Sequence, residues 1–271
     1  MQLINRQLIT KQSYDISSVH LQRIVRIDCF LPLSADEHLP VDLLLINDGQ
    51  NMEDLALADM LDNLIGNKEI LSLLCVGIHA GERIMEYGTA GTLDYLGRGY
   101  KAASYAKFIL EELIPFIKSA CNVTSFKQKS FAGFSLGGLS ALDIVWNHPH
   151  EFKIAGVFSG SLWWRIKGLE DGYHEETDRI MHAQIRNGTY TPGLKFFFET
   201  GTLDETMDRN NNGIIDSIDD TVGLINELIA KGYKVPEDIC YVELQDGKHN
   251  IATWAKAMPE FLKWGWGRKQ P

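Results

Sequence analysis

"QKSFAGFSLGGLSALDIVWNH", residues 128–148, is typical of an apolar strand that turns directly into a helix. The turn contains Gly133-Phe134-Ser135-Leu136-Gly137, a G-x-S-x-G pattern centred on Ser135. Such a tight turn requires glycines beside the serine, because larger side chains would clash there. The serine oxygen then stands above the sheet, next to the helix N-terminus. The stretch therefore predicts a nucleophilic serine; the alternative is a glycine-rich turn with an idle serine.

Short apolar runs alternate with helical patterns along most of the chain. The apolar runs, which suit strands buried on both faces, lie at residues 41–48, 70–80, 152–161, 194–201 and 238–247. The helical patterns lie at residues 104–121, 136–148, 176–188, 217–233 and 251–265. This alternation predicts an α/β fold with a mostly parallel central sheet and helices on both faces.

Two segments depart from this alternation. Residues 17–33 alternate apolar and polar side chains, which predicts antiparallel strands at the N-terminus. Pro115 lies inside the helical pattern of residues 104–121, so we expect a kink or a later helix start there. In parallel sheets, functional sites lie at the carboxyl ends of strands. The loops that follow each strand are therefore the ones to search for chemistry.

Composition limits the class of protein. The 271 residues are 45% hydrophobic and 23% charged, which is ordinary for one large core, and we predict a single domain over residues 1–271. A net charge of -10 argues against a nucleic-acid partner. No window approaches 18 uninterrupted apolar residues, and the first ten residues lack a signal-peptide pattern. Four scattered cysteines predict reduced thiols, and we expect a cytoplasmic location.

A nucleophilic serine needs a general base, and His249 is the best candidate. It lies in "DGKHN", directly after the last predicted strand and before the last helix. His174 and His182 are also downstream of Ser135, but they fall in or near a short helix. The order serine, acid, histidine along the chain is that of hydrolases with this kind of turn. The alternative for His249 is a surface loop histidine.

The acid that orients the base should follow the strand "LKFFFETG". Four carboxylates lie there: Glu199, Asp204, Glu205 and Asp208. Glu199 is expected at the edge of the strand itself. We predict Asp204, with Glu205 as the second choice, because the sequence alone does not separate adjacent carboxylates.

Two backbone amides are predicted to stabilise an oxyanion. One belongs to Leu136, directly after the nucleophile, at the start of the helix. The other is expected from "LLLINDGQNM", where Gly49 lets the backbone turn inward and the amide of Gln50 becomes the donor.

Two further loops could line a substrate pocket. The candidates are His79, Arg83, Glu86, Tyr87, Trp163 and Trp164. The first four follow the strand at 70–80, and the alternative is an ordinary surface loop with paired charges. The tryptophans could form a platform for a sugar or an aromatic acid. Alternatively, one of them belongs to the core and the other to a lid.

The stretch "DRNNNGIIDSID" matches an EF-hand calcium loop. Such loops bind calcium through positions 1, 3, 5, 7, 9 and 12, with glycine at position 6. These positions correspond to Asp208, Asn210, Asn212, Ile214 through its carbonyl, Asp216 and Asp219, and Gly213 is at position 6. Position 12 is usually glutamate, so the shorter aspartate is the one departure. A structural calcium ion is predicted; the alternative is an Asx- and glycine-rich loop without an ion.

The segments "GFSLGGLSAL", "HPHEFKIAGVFSGSLWW", "ETGTLDE" and "DGKHN" together resemble the putative-esterase family of α/β-hydrolases. This family includes esterase D, feruloyl and acetyl-xylan esterases, siderophore trilactone hydrolases and mycolyltransferases. The resemblance runs from about residue 20 to the end and is strongest to enterochelin-esterase-like members. It implies an α/β-hydrolase fold and assigns the nucleophile, base and acid to Ser135, His249 and Asp204. It also assigns the oxyanion loop to residues 48–50.

The resemblance implies hydrolysis of a small-molecule ester, with an acylated sugar, a feruloyl-type ester or a siderophore trilactone as possible substrates. Three alternatives remain open from the sequence. One is an acyltransferase or thioesterase with the same residues. Another is a peptidase, for which there is no propeller or large cap insertion. The third is a non-catalytic, calcium-dependent binding module, which does not explain the order of serine, acid and histidine after strands.

Overall fold

The structure is a computed structural model that describes residues 7–33 and 40–268. Within these ranges one eight-stranded sheet has the order β1-β2-β4-β3-β5-β6-β7-β8. Its strands are β1 (Ile9–Ser18), β2 (Arg23–Pro32), β3 (Val41–Asn47), β4 (Leu73–Ile78), β5 (Phe126–Phe134), β6 (Ile154–Phe158), β7 (Lys195–Leu203) and β8 (Ile239–Lys248). The pairs β1–β2 and β2–β4 are antiparallel, and the other pairs are parallel. The predicted architecture is confirmed.

The helices lie on the two faces of this sheet. They are α1 (Leu57–Gly66), α2 (Arg83–Glu86), α3 (Ala102–Lys107), α4 (Ile114–Ala120), α5 (Leu136–Asn147), α6 (Glu175–Asp178), α7 (Ile180–Asn187), α8 (Asp216–Lys231) and α9 (Ile251–Trp266). One hydrophobic cluster packs α1 and α9 against one face, and another packs α3, α4, α5, α7 and α8 against the opposite face. None of the described helices is long and apolar enough to span a membrane.

Strand β3 shows why the middle of its sequence, residues 43–46, is a continuous apolar run. Leu43 and Leu45 belong to one hydrophobic cluster, whereas Leu44 and Ile46 belong to the other. Successive side chains of a strand point to opposite faces, so the central positions of a strand covered on both sides are apolar throughout.

Three helical details differ from the sequence expectations. Helices α1 and α2 were not predicted. Between α3 and α4, residues Phe108–Leu113 form a π-helix, and Pro115 follows in the first turn of α4. Proline has no N–H to continue the α-helical pattern, and wider turns are a known way to accommodate such an interruption. The predicted helix at 176–188 is divided at Arg179, which is extended and forms an isolated bridge with Arg165.

The strand register aligns the carboxyl ends of the parallel strands. Phe134 at the end of β5 lies opposite Phe158 at the end of β6, and Phe158 lies opposite Glu199 of β7. The residues that follow these strands therefore meet at one edge of the sheet. Helix α9 begins on the same edge, where the Asn250 side chain accepts a hydrogen bond from the backbone N–H of Thr253 at 3.0 Å.

Candidate active site

Ser135 lies at the turn between β5 and α5 with φ 54° and ψ -123°. This positive φ is unusual for a residue with a side chain, and such strain concentrates at functional sites. Its backbone N–H donates to the carbonyl oxygen of Phe158 at 2.8 Å. The turn closes only on glycine, because a Cβ atom at Gly133 would lie 2.4 Å from the Gly137 carbonyl group. The steric argument made from the sequence holds at this position.

A cavity of about 360 Å³ opens above this turn. Its lining residues are Ser135, Ser159, Gly160, Ser161, Trp163, Asp204, Glu205, Ser217 and His249. The fold thus brings the predicted nucleophile, acid and base to one cavity from three separate loops. The Ser135 hydroxyl lies 3.3 Å from that of Ser161, whose N–H donates to the Ser135 carbonyl oxygen at 3.1 Å.

His249 faces Asp204 across this cavity. The distance from His249 Nδ1 to Asp204 Oδ1 is 3.7 Å, which is ion-pair range but longer than a hydrogen bond. Catalytic hydrogen bonds are often long without substrate and tighten when it binds. The His249 side chain is 42% exposed, whereas the Asp204 side chain is fully buried. The imidazole packs edge-on against the indole of Trp254, with ring centroids 5.3 Å apart.

Asp204 is held by a short chain of hydrogen bonds. Its Oδ1 accepts from the Ser159 hydroxyl at 3.0 Å, and the Ser159 oxygen accepts from Trp254 Nε1 at 2.8 Å. Trp254 in turn stacks on Phe134, the residue before the nucleophile. The other oxygen, Asp204 Oδ2, is buried without a hydrogen-bond partner among the described residues. The same network thus connects the acid to the nucleophile strand.

The other candidate acids have different surroundings. Glu205 lines the same cavity, and burial raises the pKa of its carboxyl group. Glu199 is fully buried in β7. Burial, followed by the nearby charge of Asp204, raises the pKa of Glu199 to about 8. Of the described carboxylates, Asp204 is the one within 4 Å of a His249 ring nitrogen.

The loop that carries Gln50 packs directly on the nucleophile turn. The Asn47 side-chain amide donates to the Gly137 carbonyl oxygen at 2.8 Å. Asp48 is left-handed at φ 61°, and a Cβ atom at Gly49 would lie 2.5 Å from the Gly77 carbonyl carbon. The backbone around Gln50 is therefore fixed beside the start of α5, where the Leu136 amide lies.

Arg83 and Tyr87 lie beneath this loop. Two Arg83 nitrogens donate to the Asp48 carboxylate, at 2.8 and 3.0 Å, and one also donates to the Phe134 carbonyl oxygen at 3.2 Å. The fully buried Tyr87 accepts a hydrogen bond from the Asp48 N–H at 3.2 Å. The neighbouring Glu86 is buried and pairs with Arg23. In this structure these side chains support the backbone of the site.

The remaining predicted contact residues lie in two different cavities and in the core. His79 bonds to Asp28 at 2.9 Å and lines a second cavity of about 300 Å³, which it shares with Gly49 and Gln50. Trp163 lines the cavity of Ser135, whereas Trp164 is buried. Trp164 is therefore the core tryptophan of the sequence alternative, whereas a lid role for Trp163 stays a prediction.

Four predicted calcium ligands converge in the acidic loop. Both Asp208 oxygens accept backbone N–H groups, from Asn212 at 3.1 Å and Gly213 at 2.9 Å. Asp219 Oδ2 accepts from the amide groups of Asn210 at 2.7 Å and Asn212 at 3.3 Å. Asp216 instead accepts the backbone N–H of Arg209 at 2.9 Å. No three His, Cys, Asp or Glu side chains cluster as a metal site within residues 7–33 and 40–268.

The chain matches the family described as "Putative esterase" over residues 18–264. This range covers most of the 271 residues. The chain belongs to the putative-esterase family. The resemblance drawn from four short segments is thereby confirmed.

The curated relatives that this chain matches are distant in sequence. The Iron(III) enterobactin esterase of Escherichia coli (strain K12) is 24% identical over 181 residues, which are 65% of this chain and 40% of that protein. The Iron(III) salmochelin esterase of Escherichia coli O6:H1 is 24% identical over 81% of this chain and 49% of its own length. The chain therefore spans less than half of the curated relatives that it matches.

Solved structures show the same fold. The enterobactin esterase FES from Shigella flexneri superposes with a TM-score of 0.72 at 20% identity, over 94% of this chain and 58% of that chain. The siderophore hydrolase EstB from Aspergillus nidulans superposes with a TM-score of 0.67 at 18% identity, over 99% of this chain and 98% of that chain. The expected α/β-hydrolase type of fold is confirmed.

Sequence reasoning missed three residues of this putative-esterase site: Ser159, Ser161 and Trp254. A signal was available for the serines, because both follow β6 directly and the loops after strands were the ones to search. Trp254 had no such signal, since it lies within α9 and reaches the acid only through Ser159.

Proposed function

We propose that this chain is a serine esterase that hydrolyses a small-molecule carboxylic ester through an acyl-enzyme. The observation that carries the proposal is the cavity shared by Ser135, Asp204 and His249. Family membership supports ester chemistry, and a Ser–acid–His order on this fold is typical of hydrolases. The cavity volume of about 360 Å³ lies within the range of small-molecule sites.

In the proposed mechanism, Ser135 attacks the ester carbonyl carbon while His249 accepts its proton. The backbone amides of Leu136 and Gln50 donate to the developing oxyanion. The protonated His249 then passes its proton to the leaving alcohol, and the acyl group stays on Ser135. Water, deprotonated by His249, hydrolyses this acyl-enzyme. Asp204 holds the imidazole tautomer and stabilises its charged form.

The names of the relatives suggest the substrate class. Enterobactin and salmochelin esterases are among them, so we propose a siderophore ester as the first candidate substrate of this chain. Acylated sugars and feruloyl-type esters are the other candidates. A panel of these esters, compared by kcat/KM, is the measurement that ranks them.

Replacement of the nucleophile tests the proposed activity. Ser135→Ala should lose nearly all hydrolysis of a 4-nitrophenyl ester, about 10³-fold or more, while its melting temperature stays near that of the wild type. A fluorophosphonate probe should label the wild type and not this variant. Retained turnover, or no labelling of the wild type, would contradict the proposal and favour a binding module. Analysis of products with an added alcohol separates hydrolysis from acyl transfer.

We also propose that residues 208–219 bind a structural calcium ion. The ligands would be Asp208, Asn210, Asn212, Asp219 and the carbonyl of Ile214. Asp216 is at position 9, which often binds through water in EF-hand loops, so its contact with Arg209 is compatible with the site. The convergence of four of these side chains supports the proposal.

Calcium binding has a direct thermodynamic test. A ligand at 100 times its Kd stabilises a fold by about 2.7 kcal/mol, so calcium should raise the melting temperature by several degrees and a chelator should reverse this. The Asp208→Ala variant should show neither effect. Calorimetry that detects no calcium uptake by the wild type would leave only a polar turn.

A further inference from the structure

Arg165 is surrounded by three aromatic rings beside the active-site cavity. Its guanidinium carbon lies 5.0 Å from the ring centroid of Tyr95, 5.7 Å from that of Tyr173 and 5.9 Å from that of Trp163. The Tyr95 N–H donates to the Arg165 carbonyl oxygen at 2.9 Å, which joins the loop after α2 to the loop after β6. Aromatic faces attract a guanidinium, so this setting holds the side chain in place.

The positive charge of Arg165 has no counter-charge in the described part of the chain. No carboxylate there lies within 4.0 Å of its nitrogens, and Nε is buried without a hydrogen-bond partner. With the residues that the structure describes, its one side-chain hydrogen bond is a long contact of 3.4 Å to the Trp163 carbonyl oxygen.

The neighbouring cations differ in this respect. Arg98 stacks 5.2 Å from the same Trp163 ring but forms an ion pair with Asp94. Lys167, two residues after Arg165, lies 3.3 Å from Asp178. Arginines that are partly buried normally have such a partner, because desolvation of an unpaired charge is costly. The protein has a net charge of -10, yet none of the carboxylates in residues 7–33 and 40–268 pairs with Arg165, which sets it apart from these neighbours.

Trp163 connects Arg165 to the chemistry. It lines the cavity that contains Ser135 and His249, and its ring centroid lies 5.9 Å from the Arg165 guanidinium carbon. A substrate that lies along the exposed part of Trp163 would therefore pass near the guanidinium. A planar guanidinium binds a carboxylate or another planar oxyanion through two parallel hydrogen bonds.

We propose that Arg165 and the rings around it form an anion-binding subsite of the active centre, which selects esters whose acyl part carries a second, negatively charged group. This inference rests on the proposed esterase function and specifies its substrate class. The carboxylate or other planar oxyanion binds Arg165, and the scissile carbonyl lies at Ser135. Arg165 contributes specificity and takes no part in proton transfer.

Matched esters test the subsite. The 4-nitrophenyl hemiesters of succinic, glutaric and adipic acid carry a terminal carboxylate at increasing distance from the scissile ester bond. The 4-nitrophenyl esters of butyrate, valerate and hexanoate are their neutral counterparts. Hydrogen bonds to charged groups contribute more binding free energy than those between neutral groups. Arg165→Gln should therefore lower kcat/KM for at least one hemiester about 10- to 100-fold, chiefly through KM. The neutral esters should stay within about twofold.

Lys167→Gln is the control. It also removes one positive charge, two residues after Arg165, but Lys167 already has a partner in Asp178. It should leave both series unchanged. Equal losses on neutral and charged esters in Arg165→Gln, or the same selective loss in Lys167→Gln, would overturn the proposal.

A binding measurement keeps the inference independent of turnover. Benzoate should quench tryptophan fluorescence of the wild type in a saturable way, and Arg165→Gln should lose this response. If the wild type binds benzoate through Arg165 but turns over no ester, the anion-binding site stands, and the esterase proposal fails together with the selection of esters. If benzoate shows no saturable binding and the hemiesters have no advantage over neutral esters, the subsite is refuted.

Discussion

Arg83 binds both oxygens of the Asp48 carboxylate, at 2.8 and 3.0 Å, and also the Phe134 carbonyl oxygen at 3.2 Å. One side chain thus joins the loop before Gln50 to the strand before Ser135. These are the two backbone segments that carry the proposed oxyanion donors. The sequence placed Arg83 among substrate contacts, but here its side chain binds the Asp48 carboxylate and the Phe134 carbonyl oxygen.

We expect Arg83→Gln to lower kcat about 10- to 100-fold with little change in KM, because oxyanion donors act in the transition state. Arg83→Lys should recover part of the loss, since one of the contacts to Asp48 remains possible. Steady-state kinetics with a 4-nitrophenyl ester measure both. Removal of the partner of a buried carboxylate also destabilises the fold, so the assays belong well below each melting temperature. A raised KM at constant kcat would instead assign Arg83 to substrate binding.

The acid is tested by a pair of isosteric variants. Asp204→Asn should lower kcat about 10²- to 10⁴-fold, because the amide no longer stabilises the charged imidazole or its tautomer. Glu205→Gln lines the same cavity and is the matched control, with an expected change below about threefold. Similar losses in both variants, or a larger one in Glu205→Gln, would move the role of acid to Glu205.

Glu199 gives a prediction for stability against pH. Burial and the charge of Asp204 raise its pKa from 4.5 to about 8, so the folded state keeps a proton that the unfolded state releases between these values. The contribution of Glu199 to the free energy of unfolding should therefore be most favourable below pH 4.5 and should fall as the pH rises toward 8. Since one pKa unit is about 1.4 kcal/mol, the loss is on the order of a few kcal/mol.

The Glu199→Gln variant removes this titration with little change of shape. Urea unfolding at pH 5, 6, 7 and 8 should show a smaller decline for the variant than for the wild type. Parallel curves for the two proteins would show that Glu199 is ionised in the folded state over this range.

The glycines of the turn give a steric prediction. A Cβ atom at Gly133 would lie 2.4 Å from the carbonyl group of Gly137, and backbone atoms there have no room to move. Gly133→Ala should therefore destabilise the fold by about 2 kcal/mol or more and remove activity. At Gly91, where a Cβ atom would meet nothing within 4 Å, the same change should stay within about 0.5 kcal/mol. Thermal melts of the two variants test this difference.

Much of the fold followed from the sequence because strand and helix patterns are local. Runs such as residues 41–48 indicated doubly covered strands, and each of the five apolar runs overlaps a strand of the sheet. Helix α1 was missed although it packs against the sheet through Leu57, Leu61 and Leu64. The π-helix before Pro115 was not predicted either, because the sequence indicated an interruption but not its geometry.

The candidate site likewise has features that the sequence predicted and features that only the tertiary structure fixed. The sequence alone determined that Ser135 stands at a glycine turn and that His249 follows the last strand, since both depend on short neighbouring segments. Only the tertiary structure decided that Asp204, and not Glu205, lies 3.7 Å from the imidazole. It also decided that Trp163 lines the cavity while Trp164 is buried. Adjacent residues differ by side-chain direction, and that direction is fixed by strand register and by packing between segments far apart in the chain.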